Sequence, residues 1–292
     1  MTQHLAQPFK FDVGSIQLCG LAWGKAHSSF KVIALHGWQD NAASFSPLGQ
    51  ALTQLPQCDV QLLALDLPGH GHSDAFPLTQ GYSLWDYAQS VVLWVQQRQE
   101  PVWFLGHSLG GMIAQIICAA RPELAKGLIT LDILSLSVDP TGQLSVDRML
   151  EVLRALTSSD QSMRSSPDFA DAIKRRARIG SPASHHANQI LAERGFEHGA
   201  SGWVPRLDPR VKAGGFMRLT PEGANALMAL VSCPWHAILA DQGITSAKRQ
   251  QEAKLLQPAL RIHPWSGGHH FHMEEKPTEL LSLIKNILAG DA

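Results

Sequence analysis

The sequence lacks the features of a membrane or exported protein. No segment offers about 18 uninterrupted apolar residues, the length that a membrane-spanning helix needs. The first eight residues, Met1 to Pro8, contain no basic stretch followed by an apolar run, so they do not resemble a secretory signal peptide. We therefore expect a cytoplasmic protein without a membrane span.

Cysteine is scarce and scattered. The spacing of the four cysteines matches neither a disulfide framework nor a paired zinc-ligand motif. We expect them to be buried thiols in a reducing compartment: Cys19, Cys58, Cys118 and Cys233.

The chain also lacks a strong charge of either sign. Its 24 Lys and Arg residues nearly balance 25 Asp and Glu residues, which leaves a formal net charge of -1. No global field therefore favours nucleic acid or an anionic membrane as a partner, and we expect a small-molecule substrate instead. Internal repeats and low-complexity tracts are absent, and nothing in the sequence indicates an oligomeric state.

What the sequence has is a regular alternation of short apolar runs and longer helix-like stretches. Such buried strands separated by helices predict an α/β fold with a mostly parallel, eight-stranded sheet and helices on both faces. An antiparallel hairpin is predicted at the start, from 9–13 and 16–23, around Gly14-Ser15. The other predicted strands are 31–35, 60–65, 102–105, 128–131, 236–239 and 260–263.

The alternation stops between Val138 and Met228, where short helical patterns take over. We interpret 138–228 as an inserted helical cap, and 1–137 with 229–292 as the core. The cap holds 12 basic and 10 acidic residues, so its net charge of +2 lies over a core of net charge -3. This imbalance is too small to predict the charge of a substrate.

The most informative motif is Gly106-His107-Ser108-Leu109-Gly110, between the strand that ends at Leu105 and an apolar helix. A Gly-x-Ser-x-Gly sequence in this setting is a nucleophile elbow, which lifts a serine hydroxyl above the sheet. The glycines allow strand and helix to approach closely, and the helix N-terminus favours developing negative charge. Ser108 is the predicted nucleophile.

Two backbone N–H groups are candidates for an oxyanion hole. In this arrangement one donor comes from the residue after the nucleophile and one from an earlier strand-end loop, here His36-Gly37-Trp38. We predict the amides of Leu109 and Trp38. A second strand-end loop, 66–73, is predicted to shape the rim of the site, with Asp66 organising its turn, and it lacks the Gly-Lys-Ser/Thr of a phosphate-binding loop.

The predicted general base follows the last strand, in Gly267-Gly268-His269-His270. His269 is favoured, and His270 is the alternative because it is one residue away. Neither the group of His269, His270 and His272 nor the pair His185 and His186 has a recognised ligand spacing, so we predict no metal site. We also expect no cofactor.

Together, four segments resemble the α/β-hydrolase superfamily and, within it, the serine hydrolase-like proteins. The resemblance covers about 10–135 and 231–290 and implies the fold and a serine nucleophile, but no substrate. The segments are His36–Phe45, Asp66–Ser73, Gly106–Gly111 and Gly267–Met273.

The acid of the predicted triad departs from the superfamily's usual pattern. Many members carry it a few residues after the strand that here ends at Leu239, and the aligned position is Gly243. Two substitutes remain: Asp132, at the end of the preceding strand of the sheet, and Asp241. We favour Asp132, since that strand end is a known alternative location for the acid. Either aspartate could also simply cap a turn.

These residues predict acyl transfer to water from an ester or thioester of a small, apolar acyl group, with a carboxylesterase-like activity. Serine at position 108 argues against a dehalogenase or an epoxide hydrolase, which use a carboxylate nucleophile. An acyltransferase, a haloperoxidase and a carbon-carbon hydrolase share the triad and stay open. The alternative from another class is a non-catalytic ligand-binding relative, suggested by the missing acid at Gly243.

Overall fold

A computed structural model describes residues 6–55, 59–136, 138–139, 143–157, 163–179, 182–213, 218–274 and 276–290. Residues 1–5, Cys58 and residue 137 were included in the expectations above and lie outside these ranges.

Within the described ranges, eight strands form one sheet in the order β1-β2-β4-β3-β5-β6-β9-β10, and β7 and β8 form a separate hairpin. The first two strands pair antiparallel around Gly14, and β2 pairs antiparallel with β4. From β4 to β10 all neighbours are parallel. The predicted sheet and N-terminal hairpin are confirmed. The strands are β1 (Gln7–Val13), β2 (Ile16–Trp23), β3 (Phe30–Leu35), β4 (Val60–Leu65), β5 (Val102–His107), β6 (Ala125–Leu131), β7 (Phe196–Gly199), β8 (Gly202–Pro205), β9 (Trp235–Gln242) and β10 (Arg261–Gly268).

Helices cover both faces of the sheet. Apolar residues of α2, α3 and α8 pack in one core cluster and those of α1 and α9 in another. Successive residues of β3 alternate between the clusters, because side chains of a strand point to opposite faces. The helices are α1 (Ser46–Gln54), α2 (Leu84–Val95), α3 (Leu109–Ala120), α4 (Gln143–Thr157), α5 (Phe169–Arg176), α6 (His185–Gly195), α7 (Pro221–Ala229), α8 (Ala247–Leu256) and α9 (Pro277–Ala289).

The segment 138–228, called the cap segment below, interrupts the sheet between β6 and β9. It contains α4, α5, α6 and most of α7, but it is not wholly helical, since β7 and β8 form an antiparallel hairpin within it. Four-residue strands containing Glu, His and Gly show no apolar alternation, which is why the sequence did not predict the hairpin. The division into core and cap domains remains a prediction.

Two further expectations concern the burial of the cysteines and the lack of a membrane-spanning helix. Cys19 and Cys118 are buried free thiols, but Cys233 is partly exposed, so the expectation that it is buried was wrong. In the described part of the chain, the helices are too short or too polar to cross a lipid bilayer.

Candidate active site

The candidate site lies along one edge of the sheet. Because the strands from β4 to β10 are parallel, the loops after β3, β5, β6, β9 and β10 meet at their shared carboxyl-terminal edge. Each loop carries a residue singled out in the sequence: Trp38, Ser108, Asp132, Gly243 and His269.

Ser108 occupies a sharp turn between β5 and α3. Its backbone has φ 48° and ψ -114°, a conformation that a side-chain-bearing residue rarely adopts. A Cβ at Gly106 would lie 2.5 Å from Gly111 Cα, and one at Gly110 would lie 2.0 Å from the Leu35 carbonyl oxygen. Only glycine fits these two positions, as the motif predicts.

The two predicted oxyanion donors flank this turn. Leu109 is the first residue of α3, so its N–H has no acceptor within the helix, whereas the amides of Gly111 and Met112 donate to the Ser108 carbonyl. Trp38 lies in the loop after β3, followed by Gln39 at φ 60°. The indole Nε1 of Trp38 donates to the Val211 carbonyl of the cap segment at 3.3 Å, which fixes the loop against that segment.

His269 and Asp132 form a direct pair. His269 Nδ1 lies 2.6 Å from Asp132 Oδ2, and both residues are buried. A carboxylate can only accept, so Nδ1 is the donor of this bond, and in the neutral tautomer of the ring Nε2 is then the unprotonated nitrogen. Asp132 also accepts from the backbone N–H groups of Ala240, at 3.2 Å, and Ile244, at 2.9 Å. Its carboxylate is thus fixed from both sides.

Gly243 and Asp241 occupy different positions relative to the pair of Asp132 and His269. A Cβ at Gly243 would lie 2.0 Å from Asp132 Oδ1, so the absence of a side chain there leaves room for the Asp132 carboxylate. Asp241 is exposed, and its Oδ1 accepts from the Gly267 N–H at 2.9 Å. The structure therefore brings Asp132 to His269, while Asp241 supports the turn that leads to the histidine.

His270, the alternative base, points to another carboxylate. Its Nε2 lies 3.5 Å from Asp40 Oδ2, and His107 Nδ1 lies 3.6 Å from the same oxygen. His107 Nε2 lies 3.0 Å from the His269 carbonyl, which ties the residue before Ser108 to the loop of the candidate base. Arg176 of α5 completes this buried group by pairing with Asp40 Oδ1.

Burial and pairing set the charges of this group. Burial alone would raise the pKa of Asp40, but Arg176 and the neighbouring His107 and His270 together hold it well below its usual value. Burial lowers the pKa of His107 to about 4, although Asp40 opposes the shift. Burial and the neighbouring His107 also hold the pKa of His272 well below its ordinary value. His107 and His272 are therefore neutral near pH 7, and Asp40 is ionised.

Asp40, His107 and His270 also have the donor types of a metal ligand set. Their ligand atoms lie within 4.8 Å of one another, a grouping that sequence spacing did not indicate because the three residues are far apart in the chain. Arg176 already neutralises Asp40, however, so a divalent ion here would leave an uncompensated positive charge in a buried place. The arrangement suits an ion pair flanked by two histidines better than a metal.

A second buried ion pair joins core and cap segment at Asp66. This carboxylate accepts from the Ala42 and His72 amides, in agreement with the predicted role in a turn. It also receives a bidentate pair from Arg194 of α6, with Nη2 2.6 Å from Oδ2. Sequence patterns do not indicate the Arg194 contact, because the two residues are 128 positions apart.

The chain is similar to several known proteins. The "Serine hydrolase-like protein" of Danio rerio is 25% identical over a region that covers 98% of this chain and 89% of that protein. The "Probable serine hydrolase" of Drosophila melanogaster is 29% identical over 273 residues, covering 86% of this chain and 78% of its own. A crystal structure of a hypothetical protein from Pseudomonas aeruginosa PAO1 matches with a TM-score of 0.85 and 28% identity, over 97% of this chain and 99% of that one.

The family model for the alpha/beta hydrolase fold matches residues 32–180. This range begins in β3 and includes the turn at Ser108 and the aspartate at position 132. The chain therefore belongs to the α/β-hydrolase family, within which it resembles the serine hydrolase-like proteins.

Proposed function

We propose that the protein is a serine hydrolase that cleaves an ester or thioester of a small acyl group through an acyl-enzyme. Ser108 is the nucleophile, His269 the base and Asp132 the acid. The observation that carries this proposal is the 2.6 Å pair between His269 Nδ1 and Asp132 Oδ2, at the sheet edge where the strained turn presents Ser108. The serine hydrolase names of the relatives agree with it.

The chemistry follows from the tautomer that Asp132 selects. His269 Nε2 accepts the Ser108 proton as the hydroxyl oxygen attacks the carbonyl carbon, and the Trp38 and Leu109 amides stabilise the resulting oxyanion. His269 then gives the proton to the leaving alcohol or thiol. Water, deprotonated by the same nitrogen, hydrolyses the acyl-enzyme and restores Ser108. Each step uses only groups of this chain, the substrate and water.

The non-catalytic alternative drew its support from the missing acid at Gly243. Asp132 supplies a carboxylate to His269 from the neighbouring strand, so that support is lost. Transfer to an acceptor other than water would use the same residues. Product analysis with and without an added alcohol separates the two outcomes.

A fluorophosphonate probe tests the proposal, because it labels only an activated serine. We expect the wild-type protein to be labelled and Ser108→Ala to be unlabelled. Ser232→Ala, at an exposed serine away from the site, serves as the matched control and should be labelled like the wild type. A folded wild-type protein that stays unlabelled, and that turns over no p-nitrophenyl ester of two to eight carbons, would contradict the hydrolase assignment.

A further inference from the structure

A cavity of about 240 Å³ lies between the core and the cap segment. Part of its wall is the loop Gln39–Asn41, which directly follows Trp38, and the rest comes from the loop after β4 and from the cap segment. Its apolar lining includes Ile179, Leu191, Phe196 and Leu207. The volume is below the roughly 300 Å³ at the lower end of drug-sized sites, so it suits a small ligand or part of one.

The charged residues of this wall are nearly all of one sign. Among the described residues that line the cavity, Asp40 is the single carboxylate, against five cations from the cap segment: Arg175, Arg176, Arg178, Arg206 and Lys212. The cap segment as a whole has almost balanced charge. The fold therefore concentrates its cations on one surface, which the net charge does not reveal.

Two of the five cations already have carboxylate partners. Arg176 pairs with Asp40, and Arg206 Nη2 lies 2.8 Å from Glu197 Oε2. In the described ranges, Arg178 and Lys212 have no carboxylate within ion-pair distance, and both side chains are exposed enough to reach a ligand. These two are the cations most available to an anion.

Two further observations indicate that arginines of this wall could pair with an additional anion. Arg176 is buried, and among the described residues no hydrogen-bond partner meets its Nε. Burial and the nearby charge of Arg164 lower the pKa of Arg175, as expected where positive charges crowd without enough counter-charge. An anionic ligand would relieve both.

We propose that this cavity binds the anionic group, a carboxylate or a phosphate, of an otherwise apolar substrate whose ester or thioester is cleaved at Ser108. Guanidinium groups pair with both kinds of anion in planar, two-point geometry, and the aliphatic and aromatic walls take the apolar part. The loop Gln39–Asn41 connects the cavity to Trp38, the proposed oxyanion donor. This inference rests on the proposed hydrolase function and specifies the charge of the substrate.

Two pairs of substrates distinguish the sources of the anion. The first compares the mono-p-nitrophenyl ester of glutaric acid with p-nitrophenyl pentanoate, which differ in a terminal carboxylate. The second compares S-acetyl-4′-phosphopantetheine with S-acetylpantetheine, which differ in the phosphate of the thiol. We expect the wild type to favour the anionic member of one pair by on the order of tenfold in kcat/KM.

The double variant Arg178→Gln/Lys212→Gln should abolish that preference. Arg178→Lys/Lys212→Arg keeps both charges and should retain most of it. Lys174→Gln removes an exposed cation of helix α5 that does not line the cavity, and should leave the preference intact. Equal kcat/KM values within both pairs, or a preference that survives the double Gln variant, would overturn the inference.

Binding to Ser108→Ala separates this inference from the hydrolase proposal. Calorimetry with glutarate and with inorganic phosphate should give saturable binding of one of them, lost when Arg178→Gln/Lys212→Gln is added. Such binding would uphold an anion site even for a protein that hydrolyses none of the esters. If neither anion binds saturably, the anion site is refuted while labelling of Ser108 can still uphold the hydrolase.

Discussion

The sheet edge and the junction between core and cap segment obtain their charged groups in different ways. At the edge, short loops after β5, β6 and β10 deliver Ser108, Asp132 and His269, and each loop continues directly from a strand of the sheet. At the junction, Arg176 and Arg194 come from α5 and α6 to meet Asp40 and Asp66 of the core. The order of the strands brings the groups of the edge together. The groups of the junction meet because the cap segment docks on the core.

Under the proposed function, the residues that carry out the reaction and the residues that select the substrate therefore lie in different regions. Groups held at strand ends cannot move far without disturbing the sheet, which suits residues that must keep a fixed geometry. The position of the side chains on the cap segment depends on a few buried ion pairs with the core. Some of these side chains line the cavity beside Gln39. Changes at the edge should therefore abolish turnover, whereas changes at the junction should affect stability and substrate choice.

The largest expected effect tests the edge itself. Asp132→Asn should reduce kcat on the order of 10³- to 10⁴-fold, because an amide that donates to His269 Nδ1 favours the wrong tautomer. Asp241→Asn should stay within a few-fold of wild type, because Asp241 is exposed and contacts only a loop amide in the described part of the site. Steady-state turnover of one p-nitrophenyl ester measures both. The reverse order of effects would make Asp241 the acid.

This edge was largely predictable from the sequence. Short, mostly apolar runs such as Val60–Leu65 are typical of buried strands, and the glycines around Ser108 indicate a close approach of strand and helix. The choice between Asp132 and Asp241 stayed open because both sit at strand ends. The sequence does contain the deciding feature, Gly243, but its meaning requires knowing that its missing Cβ faces Asp132.

The contacts at the junction were not predictable, because no local sequence pattern indicates them. Arg176 and Asp40 are 136 residues apart, and a surface-like run such as Lys174-Arg175-Arg176 normally indicates a solvated helix face. His107 occupies a variable position of the serine motif, so its contacts with Asp40 and the His269 carbonyl leave no pattern. Tertiary docking determines these contacts.

The next largest effect concerns the junction. Arg176→Met leaves the buried Asp40 carboxylate without its cation and should lower the free energy of unfolding by about 3 kcal/mol or more. Arg121→Met removes a partner of an exposed ion pair with Glu123 and should cost less than about 1 kcal/mol. Urea titrations followed by circular dichroism compare the two. Equal losses would mean that the Asp40 pair does not hold the cap segment.

A smaller effect is expected from filling the space beside the acid. Gly243→Ala places a methyl group 2.0 Å from the present position of Asp132 Oδ1, so the carboxylate must move away from His269. A displacement of this size should reduce kcat about 10²-fold. Gly81→Ala is the matched control, because a Cβ there meets no atom within 4 Å. Near-normal turnover by Gly243→Ala would show that the acid does not need its present position.

The smallest expected effect is a pH dependence that distinguishes a buried histidine of the edge from an exposed one of the cap segment. The pKa of His107 falls to about 4 in the folded protein, chiefly through burial, from an ordinary 6.5 in the unfolded chain. Between these values the unfolded chain binds a proton that the folded protein does not. Stability present above pH 6.5 should therefore be lost as the pH falls toward 4, by roughly 2 kcal/mol at about pH 5.

His107→Asn removes this titration, so its loss of stability between about pH 7 and pH 5 should be smaller than that of the wild type. His185→Asn, at an exposed position of α6, should lose as much as the wild type. Urea unfolding at the two pH values gives the difference directly, whatever each substitution costs at neutral pH. A variant at position 107 with the wild-type pH dependence would mean that His107 accepts a proton without leaving its buried place, and that Asp40 is near enough to compensate the charge.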